Sequence, residues 1–350
     1  MGFIINLLLF ILILGSIVFV HELGHFIFAK LTGVYVYEFA LGMGPKLFSK
    51  KGKETEYTIR AIPIGGFCMM AGEDLEDDDL HKVPKEKRLQ SKSCFQRFLI
   101  MFFGAGNNFI FAILILFFIG LIWGGASMEP IITSVAKNSA AALSGIEVGD
   151  RILEINNHKI STTDDISLYL AVADPKEASD IKVEKENNKV KTYSVQPKKI
   201  KVDGETAYQY GIDMAQEKEY GIVSAVEFTV KKTGSIFKQM AVTIGYLFTG
   251  GISLSQLSGP VGIFSIVGDQ SAAGVMNILY LIAFLSINVG FINLLPLPAF
   301  DGGHILFIII EKIKGSPVRA ETENTIHTIG LFLLMLLMVV ITFNDIIRLF

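Results

Sequence analysis

Cysteine is scarce in this sequence. Cys68 and Cys94 are the two in 350 residues, and neither has a C-x-x-C neighbour. No disulfide framework can be built from them, and both are expected as free thiols in a reducing compartment. Charge is scarce too: Asp, Glu, Lys and Arg make up 19% of the chain, against roughly 25% in a soluble domain. The net charge of −3 offers no basic surface, so no nucleic-acid partner is expected. Internal repeats and low-complexity tracts are absent. What is abundant is apolar: 51% of residues are hydrophobic and the mean hydropathy is +0.49. This composition excludes a single soluble domain and indicates a membrane protein of more than one domain. The N-terminus does not read as a signal peptide. No Lys or Arg precedes Phe3, the apolar run is too long, and no small-residue cleavage site ends it.

Four stretches have the roughly 20 apolar residues that a hydrocarbon core requires: residues 3–28, 98–123, 276–297 and 326–343. The third is interrupted by Asn288, Gly290, Asn293, Pro296 and Pro298, breaks tolerated at membrane depth only where the backbone is buried in protein or lines a cavity. Between the first two spans lies a Lys- and Arg-rich segment carrying "KLFSKKGK" and "KVPKEKR". The positive-inside rule places it in the cytoplasm and the N-terminus outside. Residues 124–275 are then extracytoplasmic, and the loop with Lys312, Lys314 and Arg319 returns to the cytoplasm. The acidic run "EDLEDDD", Glu73 to Asp79, counts little in that rule and reads as a solvated loop.

The outer segment has two parts. Residues 127–215 have soluble composition and read as strand, short helix "SAAALSG", turn "EVGD", strand "RILEIN" and turn "NNHK". A helix follows at "TTDDISLYLAVA", opened by Thr162 or Thr163. The stretch "SGIEVGDRILEINN" resembles the PDZ domains of bacterial membrane proteases. From Gly221 to Phe248 apolar residues recur at helical spacing (Val223, Val226, Val230, Phe237, Met240, Ile244, Leu247), with Lys231, Lys232 and Lys238 off the stripe. This predicts an amphipathic helix lying on the outer leaflet. The expected division is residues 1–126, 127–215, 216–274 and 275–350.

Inside the first apolar run stand His21, Glu22 and His25, in "GSIVFVHELGHFIFAKL". An unpartnered ionisable group at bilayer depth costs a few kcal/mol, so the triplet needs a purpose. On a helix, His21 and His25 lie one turn apart on one face and can reach one metal. Glu22 beside them can hold a water and take its proton. Catalytic zinc takes three protein ligands and an open position. Candidates for the third are Asp301 and His304, just past the broken third span, whereas His81, His158 and His327 sit in loops or outside. In "NLLPLPAFDGG" (residues 293–303) the prolines end the helix and the glycines free the turn. Asp301 can then point its carboxylate back into the bundle, or can cap the helix that follows. "TEYTIRAIPIGGFCMM" (residues 55–70) alternates like a strand and predicts a membrane-associated hairpin dipping towards the site. "LSGPVGIFSIVG" (residues 257–268) reads equally as a re-entrant loop or a packed connection.

H-E-L-G-H in the first span, N-x-x-P-x-P-x-F-D-G-G near the third and a PDZ-like insertion between spans two and three resemble the site-2 protease family of intramembrane zinc metalloproteases, in particular its bacterial RseP type. The likeness covers essentially the whole chain. Phe300 stands where Leu is common, and one PDZ-like unit fits where some relatives carry two. The resemblance implies a polytopic α-helical membrane protein of about four spans, with a membrane-associated β-hairpin and one extracytoplasmic PDZ-like α/β domain. It implies that His21, His25 and Asp301 bind Zn2+, that Glu22 is the general base, and that Asn293 bonds the substrate backbone or the developing oxyanion. It further implies a multi-pass protein of the inner or plasma membrane whose partners are membrane lipid and transmembrane protein substrates such as anti-sigma factors or signal-peptide remnants. His304 is expected beside the site rather than as a ligand. Asn288, Asn107 and Asn108 are expected to bond between helices.

Overall fold

The computed structural model describes residues 2–73, 82–202, 205–214, 218–253 and 257–348. His81 and the acidic run beyond Glu73 lie outside the described residues. The chain forms two compact units, one of residues 1–115 and 254–350, the other of residues 116–253.

The first unit begins with α1 (Phe3–Leu31), rich in Leu, Ile and Phe and without proline, stopped where the Thr32 hydroxyl bonds the Phe28 carbonyl at 2.7 Å. A long antiparallel hairpin follows, β1 (Val36–Lys51) paired with β2 (Glu56–Met70). In β1, Val36 to Gly42 are buried or half-buried and Met43 to Lys51 are exposed, and the turn that follows folds back so that the buried Thr55 hydroxyl bonds the Val36 carbonyl at 2.8 Å. Glu38 sits in the buried part; burial opposes its charge, yet bonds from Thr58 and Arg60, with Lys46 near, hold its carboxyl below the ordinary range. Then comes α2 (Cys94–Trp123), whose last turns belong to the second unit.

The second unit is β-rich. It holds β3 (Gly125–Ala126), β4 (Ser134–Val135), α3 (Ala140–Ser144), β5 (Arg151–Ile155), β6 (His158–Lys159), α4 (Thr163–Val172), β7 (Ser179–Glu184), β8 (Val190–Val195), β9 (Lys198–Val202), β10 (Glu205–Gln209), β11 (Ile212–Asp213), β12 (Lys218–Glu219) and α5 (Ile222–Thr249). The strands β6-β5-β7-β8 form an antiparallel sheet. With α3 and α4 it encloses a core of Ile132, Ile152, Ile155, Ile166, Ile181 and Val183. Thr162 is the N-cap of α4 and forms a capping box with Asp165.

The helix α5 occupies the predicted span, and the face it buries within its own unit is the one opposite the predicted valine stripe. Ala225, Thr229, Ser235 and Ile236 are buried, while Val223, Val226 and Val230 are exposed. The lysines are not free either. Lys232 binds Asp164 at 2.7 Å, Lys231 lies 3.3 Å from Glu129, and Lys238 bonds the Lys159 carbonyl at 3.2 Å. The polar face is therefore the one that docks on the β-rich part of its own unit, which leaves the valines facing out. His158 stacks on Tyr169 and meets the Tyr246 hydroxyl at 3.2 Å.

The first unit resumes with α6 (Pro260–Ala273), α7 (Val275–Asn293), α8 (Asp301–Lys314) and α9 (Ala320–Arg348). Of residues 257–268, those from Pro260 on are helical: α6 packs with α1 and α7 around Phe10, Ile13, Ile17, Val267 and Leu281. Its N-terminus receives the buried carboxylate of Asp345 from α9, which accepts the Gly262 N–H at 2.8 Å. Among the described residues α1, α2, α7 and α9 are long and apolar enough to cross a membrane. Asn107 bonds from α2 to the Val20 carbonyl of α1 at 3.4 Å. The amide of Asn108 and the amide oxygen of Asn288 are buried without a hydrogen-bond partner among the described residues, contrary to expectation: Ser286 bonds the Asn108 main chain instead.

Candidate metal centre

The close approach of α1 and α2 positions the centre. A methyl group at Gly24 would stand 1.9 Å from the Phe103 carbonyl oxygen, so α1 lies directly against the backbone of α2. His25 enters that contact buried, and its Nδ1–H donates to the Ile100 carbonyl at 3.0 Å. This bond fixes the tautomer and leaves the Nε2 lone pair free, as a metal-binding imidazole requires. The next residue to close the site is Gly104, where a methyl group would fall 2.2 Å from His25 Nε2 and 2.9 Å from Asp301 Oδ2.

Asp301 arrives from the other side. Pro296 and Pro298 cannot continue a helix, so α7 ends at Asn293 with the Leu294 and Leu295 amides bonding back to Gly290 and Ile292. The chain turns through Ala299, whose φ of +73° is left-handed, and α8 starts at Asp301. The cap of α8 is Phe300, with no side-chain bond. Of the two readings for Asp301, the inward carboxylate is the one observed.

The three donor atoms form a nearly equilateral triangle. His21 Nε2 to His25 Nε2 is 3.3 Å, His21 Nε2 to Asp301 Oδ2 is 3.3 Å, and His25 Nε2 to Asp301 Oδ2 is 3.4 Å. Ligands about 2.0–2.1 Å from a tetrahedral zinc stand about 3.3 Å apart, so the set fits that ion. Asp301 Oδ2 is buried and has no hydrogen-bond donor among the described residues. A bound cation answers that deficit.

Around the triangle is a cavity of about 500 Å³, lined by Glu22, Asn293, His304, Glu73, Met101 and the end of β2, Phe67 to Met70, as well as by the triangle itself. Glu22 therefore opens on the same space as the donor atoms, and Asn293, the last residue of α7, also lines it. The hairpin reaches the site, and Cys68, a free thiol, is buried in its wall. Three contributors escaped the sequence reading: the Ile100 carbonyl, the space at Gly104, and the pair His327–Glu323 of α9. The first two are backbone features that no side-chain pattern announces.

His304, Glu323 and His327 also come close together. His304 Nδ1 lies 3.2 Å from Glu323, and its ring stacks on His327 at 4.0 Å. They are not a second copy of the metal triangle. The Ala299 N–H donates to His327 Nδ1 at 3.1 Å. A neutral His327 then carries its own proton on Nε2, which cannot accept a metal.

Residues 9–337 match the model of peptidase family M50. The chain belongs to that family. It is similar to the zinc metalloprotease RasP of Bacillus licheniformis, 34% identical over an alignment of 416 residues that covers 97% of this chain and 98% of the relative. It is similar to the regulator of sigma-W protease RasP of Bacillus subtilis, 35% identical over 99% of this chain and 100% of that protein. The RasP of Geobacillus kaustophilus is 32% identical over 99% and 98% of the two chains. Membership of family M50 makes this chain a zinc metalloprotease, and its four apolar helices make it a multi-pass membrane protein.

Proposed function

We propose that the chain hydrolyses peptide bonds in or beside transmembrane segments, with His21, His25 and Asp301 as the zinc ligands and Glu22 as the general base. The observation that carries the reading is the triangle of donor atoms with edges of 3.3–3.4 Å, built into an apolar span and sharing one cavity with a carboxylate. Zinc bound there supplies a Lewis acid and brings the pKa of water towards neutrality. Glu22 takes the proton of the attacking water and delivers it to the leaving amine. Asn293 donates from its amide to the substrate carbonyl as charge develops on it. The end of β2, reaching the cavity at Phe67 to Met70, adds a substrate strand by main-chain hydrogen bonds. A helical segment must unwind before its peptide bond is exposed, and an edge beside the donors holds it extended.

In this reading the lysine-rich hairpin and the loop between α8 and α9 face the cytoplasm, and residues 127–215 form a PDZ-like extracytoplasmic domain. The substrates are single-pass proteins with a cytoplasmic N-terminus, such as anti-sigma factors and signal-peptide remnants, already trimmed outside. Other parts of the chain are residues 1–126 and 275–350 as membrane parts and 216–274 as the connection carrying α5.

The test uses the full chain in proteoliposomes. Glu22→Gln keeps about one equivalent of zinc and loses cleavage, because the amide fills the space but takes no proton. Asp301→Ala lowers both zinc and cleavage, whereas His304→Ala leaves zinc bound. A wild type that cuts a soluble peptide as fast as a transmembrane substrate refutes the membrane-substrate reading. Near-normal turnover by Glu22→Gln refutes the base.

A further inference from the structure

We propose that His327 is a positioning residue, which from the last span holds the turn at residues 298–300 so that Asp301 faces the two histidines. The inference rests on the reading of Asp301 as the third ligand and asks what fixes its direction.

The turn is held only in part by its own main chain, where the Leu297 N–H reaches the Leu295 carbonyl at 2.7 Å and the Phe300 N–H the Leu297 carbonyl at 3.4 Å. Ala299 has φ of +73°, a conformation that an L-residue with a Cβ adopts only when its surroundings impose it. Pro296 and Pro298 have no N–H, so the main chain here has few donors with which to anchor itself. One donor that remains, the Ala299 N–H, goes to His327 Nδ1 at 3.1 Å, 28 residues away in sequence. Two residues after this bond the chain reaches Asp301. A swing at Ala299 therefore moves the carboxylate directly.

The ring that accepts the bond is itself fixed. On one face it stacks on His304 at 4.0 Å, with the planes 17° apart. His304 in turn is tied to Glu323, one helical turn before His327 on α9. On the same side of α9, three residues on, Gly330 lies against Pro298: a methyl group there would stand 2.2 Å from the Pro298 Cβ and 2.9 Å from its carbonyl carbon. Thus α9 meets the turn twice, by a hydrogen bond and by bare backbone contact. Elsewhere α9 is mostly exposed, with Ile341 and Asp345 as its buried residues among those described. The contact at residues 298–299 is thus a specific docking point and not one part of a continuous packed face.

The test compares His327→Phe, which keeps a ring for His304 but has no acceptor, with His327→Asn, whose Oδ1 takes the place of Nδ1. Zinc affinity is measured by chelator competition on the full chain, kcat and KM on a transmembrane substrate, and hydrogen exchange on the peptide containing Ala299 in zinc-free protein. The Phe variant is expected to bind zinc about tenfold more weakly, the effect of losing a group that orients a ligand. Its kcat falls while KM stays, and exchange at Ala299 rises. The Asn variant restores all three to within about threefold of wild type. Gly330→Val, which pushes α9 off Pro298, serves as an independent variant and is expected to match Phe. The proposal is overturned by a Phe variant with wild-type zinc affinity, by an Asn variant no better than Phe, or by a second zinc equivalent that both variants lose. Asp301→Asn separates this from the underlying reading. If it leaves zinc affinity unchanged, the ligand assignment fails. If it weakens zinc while His327→Phe does not, only the positioning fails.

Discussion

Gly104→Ala is a one-methyl change that the geometry predicts to remove zinc without unfolding the helix that carries it. Its Cβ would lie 2.2 Å from His25 Nε2, 2.4 Å from His25 Cε1 and 2.9 Å from Asp301 Oδ2. Ordinary contact starts at 3.4 Å, so the imidazole has to retreat by more than 1 Å. Zinc ligands tolerate departures of about 0.2 Å. Two of three donors are displaced, so zinc affinity is expected to fall by at least about 100-fold, which is about 2.8 kcal/mol at 1.4 kcal/mol per factor of ten. Helix propensity works in the opposite direction: Ala is favoured over Gly in a helix interior by up to about 1 kcal/mol. The three nearest atoms all belong to side chains of the site, so the crossing of α1 and α2 at Gly24 need not open. The assay is chelator competition for zinc, beside thermal unfolding of the zinc-free protein. Gly106→Ala, two residues on, is the control, because its methyl group would meet phenylalanine ring atoms at 3.2 Å and beyond. If Gly104→Ala binds zinc within threefold of wild type, the donor triangle is not where the metal sits.

Two further outcomes follow from other parts of the fold. Asp345→Ala removes a buried carboxylate from the N-terminus of α6 and leaves the Gly262 N–H without its partner at 2.8 Å; a loss of about 1–2 kcal/mol is expected, read as a lower midpoint in denaturant, with zinc binding unchanged. In a Cys94→Ser background, cysteine at Lys50 or Lys85 is expected to react only from the cytoplasmic side and cysteine at Asn187 only from outside. The reversed pattern would overturn the topology and the substrate orientation with it.

The sequence made the donors legible because their chemistry is carried by residue type at fixed spacing. Two histidines one turn apart in an apolar helix have few other uses, and Pro296, Pro298, Gly302 and Gly303 announce a turn that can redirect Asp301. Thr162 as a cap was legible for the same reason, since capping is a local rule. What the sequence hid were contacts between distant backbones. Nothing in the spacing of residues 94–123 says that Gly104 abuts His25, or that the Ile100 carbonyl sets its tautomer. The helix α5 was legible as a helix with an apolar stripe; what the sequence hid is what its other face docks on. The valines stay exposed, while Lys232 and Ser235 find Asp164, and small Ala225 and Thr229 permit close packing. A periodic pattern identifies two faces of a helix; only the partners determine which one is covered.

The same distinction explains how three ionisable groups persist in a span. Their cost is not met by neighbours on α1, which offers mainly Leu, Ile, Val and Phe, but by groups converging from three other places. The Ile100 carbonyl on α2 accepts the His25 Nδ1–H, the proline-broken end of α7 delivers Asp301, and β2 reaches the cavity wall. Each of these depends on a helix that stops or a pair of backbones that touch. A substitution that restores regularity, such as Gly104→Ala, is thus expected to favour the local helix while it dismantles the site. In a membrane, where an unpaired backbone group is costly, such irregularities persist only where other parts of the protein hold them, and here they surround the donors.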